Sequence, residues 1–142
     1  MPPALPHAEF GFPRTELRRR LVEAILCGEK TSTSGLVTDY ERVGDPLPKV
    51  GERFRLIDEH DQAVGVIEVT DVWVTTIGEV DLAFAHDEGE GFASVRDWRE
   101  AHERFWLSYA DKTRAWLGDP EWRPTAATPI VCERFRLVAR LR

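Results

Sequence analysis

The sequence predicts an α+β domain, with helices flanking a small and largely antiparallel sheet. Two patterns carry that expectation. Apolar residues recur at helical spacing near the start and in the middle, whereas Val-, Ile- and Phe-rich segments of period two lie between them and at the end. A third observation is the length of 142 residues, suited to one ordinary domain able to bury a core. The strands are expected to close into a small barrel or to form a curved sheet. One domain is expected over 1–142. Within it residues 1–10, with prolines at Pro2, Pro3 and Pro6 and no cationic, apolar leader pattern, are read as a flexible arm.

Thr15 is an N-cap for a first helix whose apolar stripe is Leu17, Leu21, Ile25 and Leu26, and Gly28 supplies its stop. The polar run Gly28-Glu29-Lys30-Thr31-Ser32-Thr33-Ser34-Gly35 follows and opens a strand expected to continue to Tyr40. In an extended strand Lys30, Ser32 and Ser34 share one face, with Thr31 and Thr33 on the other. Pro46 and Pro48 enforce a loop. Glu52 to Asp58 and Ala63 to Thr75 then read as a β-hairpin. Ile77, Val80 and Phe84 give a short helix that ends in the acidic loop His86 to Gly91. Ser94 starts the longest helix, expected to run to Gly118 with Trp98, His102, Phe105 and Tyr109 on one stripe. Pro129 to Leu141 is the last strand, and Glu133 interrupts its apolar face.

Charge narrows the function classes. The chain carries 19 basic and 25 acidic residues, a net charge of −6. Between Arg55 and Arg96 there are ten carboxylates and no Lys or Arg, a distribution that repels a phosphate backbone and excludes extended duplex DNA binding. The arginines sit at the two ends. No apolar run reaches the roughly 18 to 20 residues of a membrane span, so no membrane association is expected. Cys27 and Cys132 are widely separated and have no CxxC partner, which speaks against a disulfide scaffold or a zinc site and fits a reducing cytoplasm. His86 with Asp87, Glu88 and Glu90 lacks a fixed ligand spacing, so neither a metal nor a cofactor is assigned.

Five separated motifs, in order, carry a resemblance: Gly28-x-Lys30-Thr31-x-Thr33, Pro48-Lys49-Val50-Gly51, Glu88-Gly89-Glu90-Gly91, Trp98-Arg99-x-x-His102 and Val131-Cys132-Glu133-Arg134-Phe135. Together they resemble the ASCH family, and within it the small stand-alone bacterial members. That resemblance implies a PUA-like β-barrel and an RNA-associated role. Some small members are amidohydrolases acting on N4-acetylcytidine, and another is a ribonuclease. In the amidohydrolases a Lys and a Thr of a K-x-x-T pattern work with a Glu in the loop after the short helix, which implies Lys30, Thr33 and Glu90 as catalytic residues, with Glu88 as the alternative to Glu90. Where those enzymes carry an Arg two residues after the Thr, Gly35 stands here.

Amide hydrolysis needs a nucleophile, a base and a group that steadies the oxyanion. Thr33 is the candidate nucleophile. Either Lys30 is the base, or Glu90 is the base with Lys30 at the oxyanion, or Glu90 hydrogen-bonds the substrate's amino group. Ser32, Ser34, Glu88, Trp98 and Glu133 are the expected substrate contacts, with an arginine partner as the alternative fate of Glu133. The expected ligand is a nucleoside or a single-stranded RNA base. A non-catalytic RNA-binding module and a ribonuclease are the competing functions.

Overall fold

The computed structural model describes residues 4–141. Its elements run β1 (His7–Ala8), α1 (Glu16–Leu26), β2 (Ser32–Leu36), α2 (Val37–Val43), β3 (Arg53–Ile57), β4 (Ala63–Thr76), a 3₁₀ turn (Ile77–Glu79), α3 (Leu82–Asp87), α4 (Val95–Leu107), α5 (Ala110–Leu117) and β5 (Pro129–Arg140). The α+β expectation holds, but the barrel does not. The five strands lie in the order β1-β3-β4-β5-β2, with β1 and β2 at opposite edges and not paired to each other. A two-residue β1 is too short to bridge back to β2. Only β1 and β3 run parallel; the other pairs are antiparallel. Register shifts at Val66/Ile67 and Val69/Asp71 bend the long β4–β5 ladder, which curves the sheet without closing it.

Each face of the sheet carries a core, because β5 alternates its side chains between them. Ile130 and Cys132 face a cluster with Leu36, Ile77, Phe84, Trp98 and Trp106, whereas Phe135 joins Phe10, Leu21, Val22, Ile25, Leu56 and Ile67 beneath α1. The first helix begins as expected, Thr15 Oγ1 accepting from the Arg18 amide at 3.2 Å. The region expected as an arm over 1–10 is docked from Pro6 onward. The Arg55 amide donates to Pro6 O at 2.8 Å, His7 and Ala8 pair with Arg55 and Leu56, and the buried Phe10 fills the core. Arg18, itself buried, holds this segment by donating to Phe10 O and Gly11 O, both at 3.0 Å. Residues 1–3 of that expected arm lie outside the described residues.

Two other boundaries move. The strand expected up to Tyr40 ends at Leu36, which is fully buried, and α2 takes over; the Tyr109 hydroxyl anchors that helix by donating to Asp39 at 2.6 Å. The single long helix breaks in two at Ser108 and Tyr109. The Ser108 hydroxyl donates back to Phe105 O, capping the first segment, while Tyr109 leaves the helical conformation and turns to Asp39. No helix among the described residues is long and apolar enough to cross a membrane.

Candidate functional site

The site forms where the loop after α3 presses on the segment entering β2. Gly89 makes this approach possible: its φ is +73°, and a Cβ there would lie 2.6 Å from Glu29 O. The Thr31 amide donates to Asp87 O at 2.7 Å and fastens the two segments. Because β2 is extended, Ser32 and Ser34 point toward this loop. Ser32 is fully buried and donates to Phe84 O, and the Ser34 hydroxyl donates to Glu88 at 2.9 Å.

Glu88 is the centre of that contact and is completely buried. One carboxylate oxygen accepts from Trp98 Nε1 at 2.6 Å and from Ser34; the other faces His102 Nε2 at 3.1 Å and Lys30 Nζ at 3.5 Å. His102 Nδ1 lies 2.8 Å from Trp98 O. A carbonyl and a carboxylate can only accept, so both ring nitrogens donate and the ring is an imidazolium. Burial opposes the charges on both partners, yet their mutual attraction wins. With Lys30 adding to it, Glu88 is held well below the usual carboxylate range, and His102 is raised by Glu88 and, further off, Glu90.

Lys30 is also buried. Its ammonium donates to Ser32 O at 2.9 Å and Glu88 O at 3.2 Å, besides the longer contact to the Glu88 carboxylate. Three donors meet three acceptors, which leaves no place for the free lone pair of a general base. Of the alternatives for this residue, the geometry favours a fixed positive charge.

Glu90 sits at the mouth of the cleft and is open to solvent on one side. Lost hydration raises it, Lys30 opposing and Glu88 reinforcing, with the effect screened by the water that still reaches it. Glu88, Glu90 and His102 each bring one ligand atom within 4.8 Å of the others. A cation bound there would have to break the His102–Glu88 contact and lie beside Lys30, so the donor set fits an internal ion-pair network better than a metal.

Thr33 and Glu133 belong to the other face of the strands. They are direct partners in the β2–β5 register. Glu133 shares the face of Phe135, opposite Cys132 and Arg134, and is 9% exposed. The arginine partner considered from sequence is engaged elsewhere, since Arg134 pairs with Asp87 at 2.6 Å. Glu133 makes no hydrogen bond or ion pair among the described residues. Burial pushes its carboxyl up to about 7, with Lys30 opposing and Glu52 reinforcing. Tyr40 lies over Gly35, its ring 3.6 Å from where a Gly35 Cβ would stand. Burial and then the charges of Glu133, Asp39 and Asp45 raise the Tyr40 phenol.

A cleft of about 1770 Å³ unites these groups, lined by Lys30, Thr33, Ser34, Glu88, Glu90 and Glu133 among others. Two expected substrate contacts are not on its wall. Ser32 and Trp98 have no exposed surface and instead support Phe84 O and Glu88 from behind. Two residues that sequence reading did not assign to the site do line it, His102 and Tyr40. The i, i+4 spacing of Trp98 and His102 puts both on one helix face, which was a usable signal; Tyr40 had none, because it was read as strand.

The ASCH domain model matches residues 8–139. The chain belongs to the ASCH domain family. Among solved structures, this ASCH domain is similar to protein EF3133 from Enterococcus faecalis V583, with 25% identity over 93% of this chain and 75% of that one at a TM-score of 0.81. It is also similar to an ASCH domain from Lactobacillus crispatus JV V101, with 26% identity over 96% and 81% of the two chains at a TM-score of 0.80. No curated protein matches it.

Proposed function

We propose that the cleft of this ASCH domain takes a nucleoside or an unpaired base and hydrolyses an N4-acyl amide of the cytidine type. The observation that carries this reading is convergence. Lys30 and Thr33 in one segment and Glu90 in a distant one, the three residues implied by the likeness to amidohydrolases, line a single cleft. In this reading Thr33 attacks the acyl carbonyl, the buried ammonium of Lys30 supplies positive potential to the oxyanion, and Glu90 at the mouth accepts a hydrogen bond from the substrate's exocyclic N–H. The arrangement of the arginines counts against an extended RNA track. Arg18 is buried, Arg19 pairs with Glu16 and Glu23, Arg134 with Asp87, and Arg136 with Glu68.

Incubation with a panel of acylated nucleosides, followed by chromatography of the products, tests the reading. Deacylated nucleoside is expected from the wild type, with Thr33→Ala losing turnover by at least about a hundredfold and keeping its fold. Thr33 makes no side-chain hydrogen bond among the described residues, so this variant removes chemistry with little effect on packing. A wild type inert toward every acylated nucleoside, yet able to bind cytidine or a short single strand, would replace hydrolysis with the binding-module reading. Degradation of unstructured RNA that persists under metal chelation would point to the ribonuclease reading.

A further inference from the structure

We infer that Glu133, rather than Lys30 or Glu90, is the general base that activates Thr33. The inference rests on the hydrolytic reading and adds the residue that reading leaves unassigned. Direct partners in an antiparallel ladder hold their Cβ atoms roughly 4.5 to 5.5 Å apart on one face of the sheet, and Thr33 and Glu133 are such partners. Among the described residues neither side chain forms a hydrogen bond, and both line the cleft. A buried carboxylate is ordinarily paired. Glu133, nine-tenths buried and without a hydrogen bond or ion pair among the described residues, instead leaves its carboxylate free toward the cleft, across the ladder from Thr33.

The alternatives are worse placed. Lys30 has its donors engaged, and on the face opposite Thr33 the Ser32 hydroxyl donates to Phe84 O and the Ser34 hydroxyl to Glu88. The charged and titratable groups acting on Glu133 from its own face are Lys30 from the segment entering β2, Glu52 just before β3 and Tyr40 from α2, whereas Cys132, its neighbour on β5, points to the opposite face. Burial leads and Lys30 only partly offsets it, which leaves the carboxyl titrating at about 7, near the working pH that general base catalysis favours.

The steps balance. Thr33 Oγ1 bonds to the acyl carbon as its proton passes to the Glu133 carboxylate, and the carbonyl π bond opens to the oxyanion. The intermediate collapses with cleavage of the C–N bond, and the leaving amine takes the proton from Glu133. A water molecule, deprotonated by Glu133, then attacks the threonyl ester, and the returning proton frees Thr33 and the carboxylic acid product.

The test measures nucleoside deacylation and, independently of nucleoside recognition, acetylation of Thr33 by 4-nitrophenyl acetate read by peptide mass spectrometry. Glu133→Gln is expected to lower kcat by about a hundredfold to ten-thousandfold with KM within roughly threefold. The wild-type kcat/KM should rise with pH through about 7. Glu133→Ala should regain turnover with added formate, which a packing role would not allow. Turnover of Glu133→Gln within tenfold of wild type, with Glu90→Gln inactive, would overturn the inference while leaving the hydrolytic reading intact. Glu133-dependent acetylation of Thr33 in a protein inert to acylated nucleosides would uphold the inference and overturn that reading. Absence of both activities in the wild type would overturn both.

Discussion

Glu88 and Glu133 are two buried carboxylates bordering one cleft, and they solve the problem of burial in opposite ways. Glu88 has a donor on every side: an indole N–H, a hydroxyl, an imidazolium and an ammonium. It stays ionised although it is fully desolvated. Glu133 has no such partner among the described residues and, pushed up to about 7, holds its proton under mildly acidic conditions. The difference separates structure from chemistry. A carboxylate whose charge is neutralised on every side fixes the loop that shapes the cleft, whereas one left unpaired can exchange a proton. Lys30 acts on both of them and on Glu90.

Removing Glu88 should have the largest effect. Glu88→Ala leaves the Lys30 and His102 charges buried without their counter-ion and orphans the Trp98 indole, so a loss of about 3 to 5 kcal/mol is expected by chemical denaturation. A loss under about 1 kcal/mol would mean that the network is not structural. Glu133→Gln should do the reverse. An acid with a raised folded value stabilises the fold while it is protonated, and that contribution is lost as pH rises from 4.5 toward about 7. Above pH 7 Glu133→Gln should therefore be more stable than wild type by roughly 3 kcal/mol, and near pH 4 equal to it. Glu88 and His102 slope oppositely: a depressed acid loses its contribution as pH falls below 4.5, and a raised histidine loses its contribution as pH climbs past 6.5.

Gly89→Ala separates the two glutamates again. Positive φ alone costs about 1 to 3 kcal/mol, and the new Cβ meets Glu29 O, so the loop carrying Glu88 should shift while Glu133 keeps its register. Loss of stability with the Glu133 titration unchanged is the expected outcome. The smallest effect belongs to Glu52→Gln. Removing a like charge should lower the Glu133 midpoint by a few tenths of a pH unit, with kcat/KM moving in step.

Much of this was legible in the chain, for identifiable reasons. Thr15, Gly28 and Ser94 act locally, so the starts of α1 and α4 and the end of α1 could be read from capping chemistry. Period two correctly separated Ser32 and Ser34 from Thr33, and the apolar pattern of β5 exposed Glu133 as an anomaly. What sequence could not supply depends on contacts distant along the chain. The break between α4 and α5 and the turn into α2 are joined by one hydrogen bond, Tyr109 to Asp39, across 70 positions. The arm is pinned by the side chain of Arg18, which pattern alone assigns to a solvated helix face. The sheet stays open because β1 pairs for only two residues. Trp98, expected as a substrate contact, is instead the buried donor to Glu88, because its stripe faces the core.

The contrast between the two glutamates can be measured directly by a carbon-13 titration of glutamate side-chain carboxyls, with the two signals assigned through Glu88→Gln and Glu133→Gln. Glu133 is expected to titrate near 7, and Glu88 to remain ionised well below pH 4. Glu133 titrating at the ordinary 4.5, or Glu88 taking up its proton above that value, would contradict the division of roles on which the account of this cleft stands.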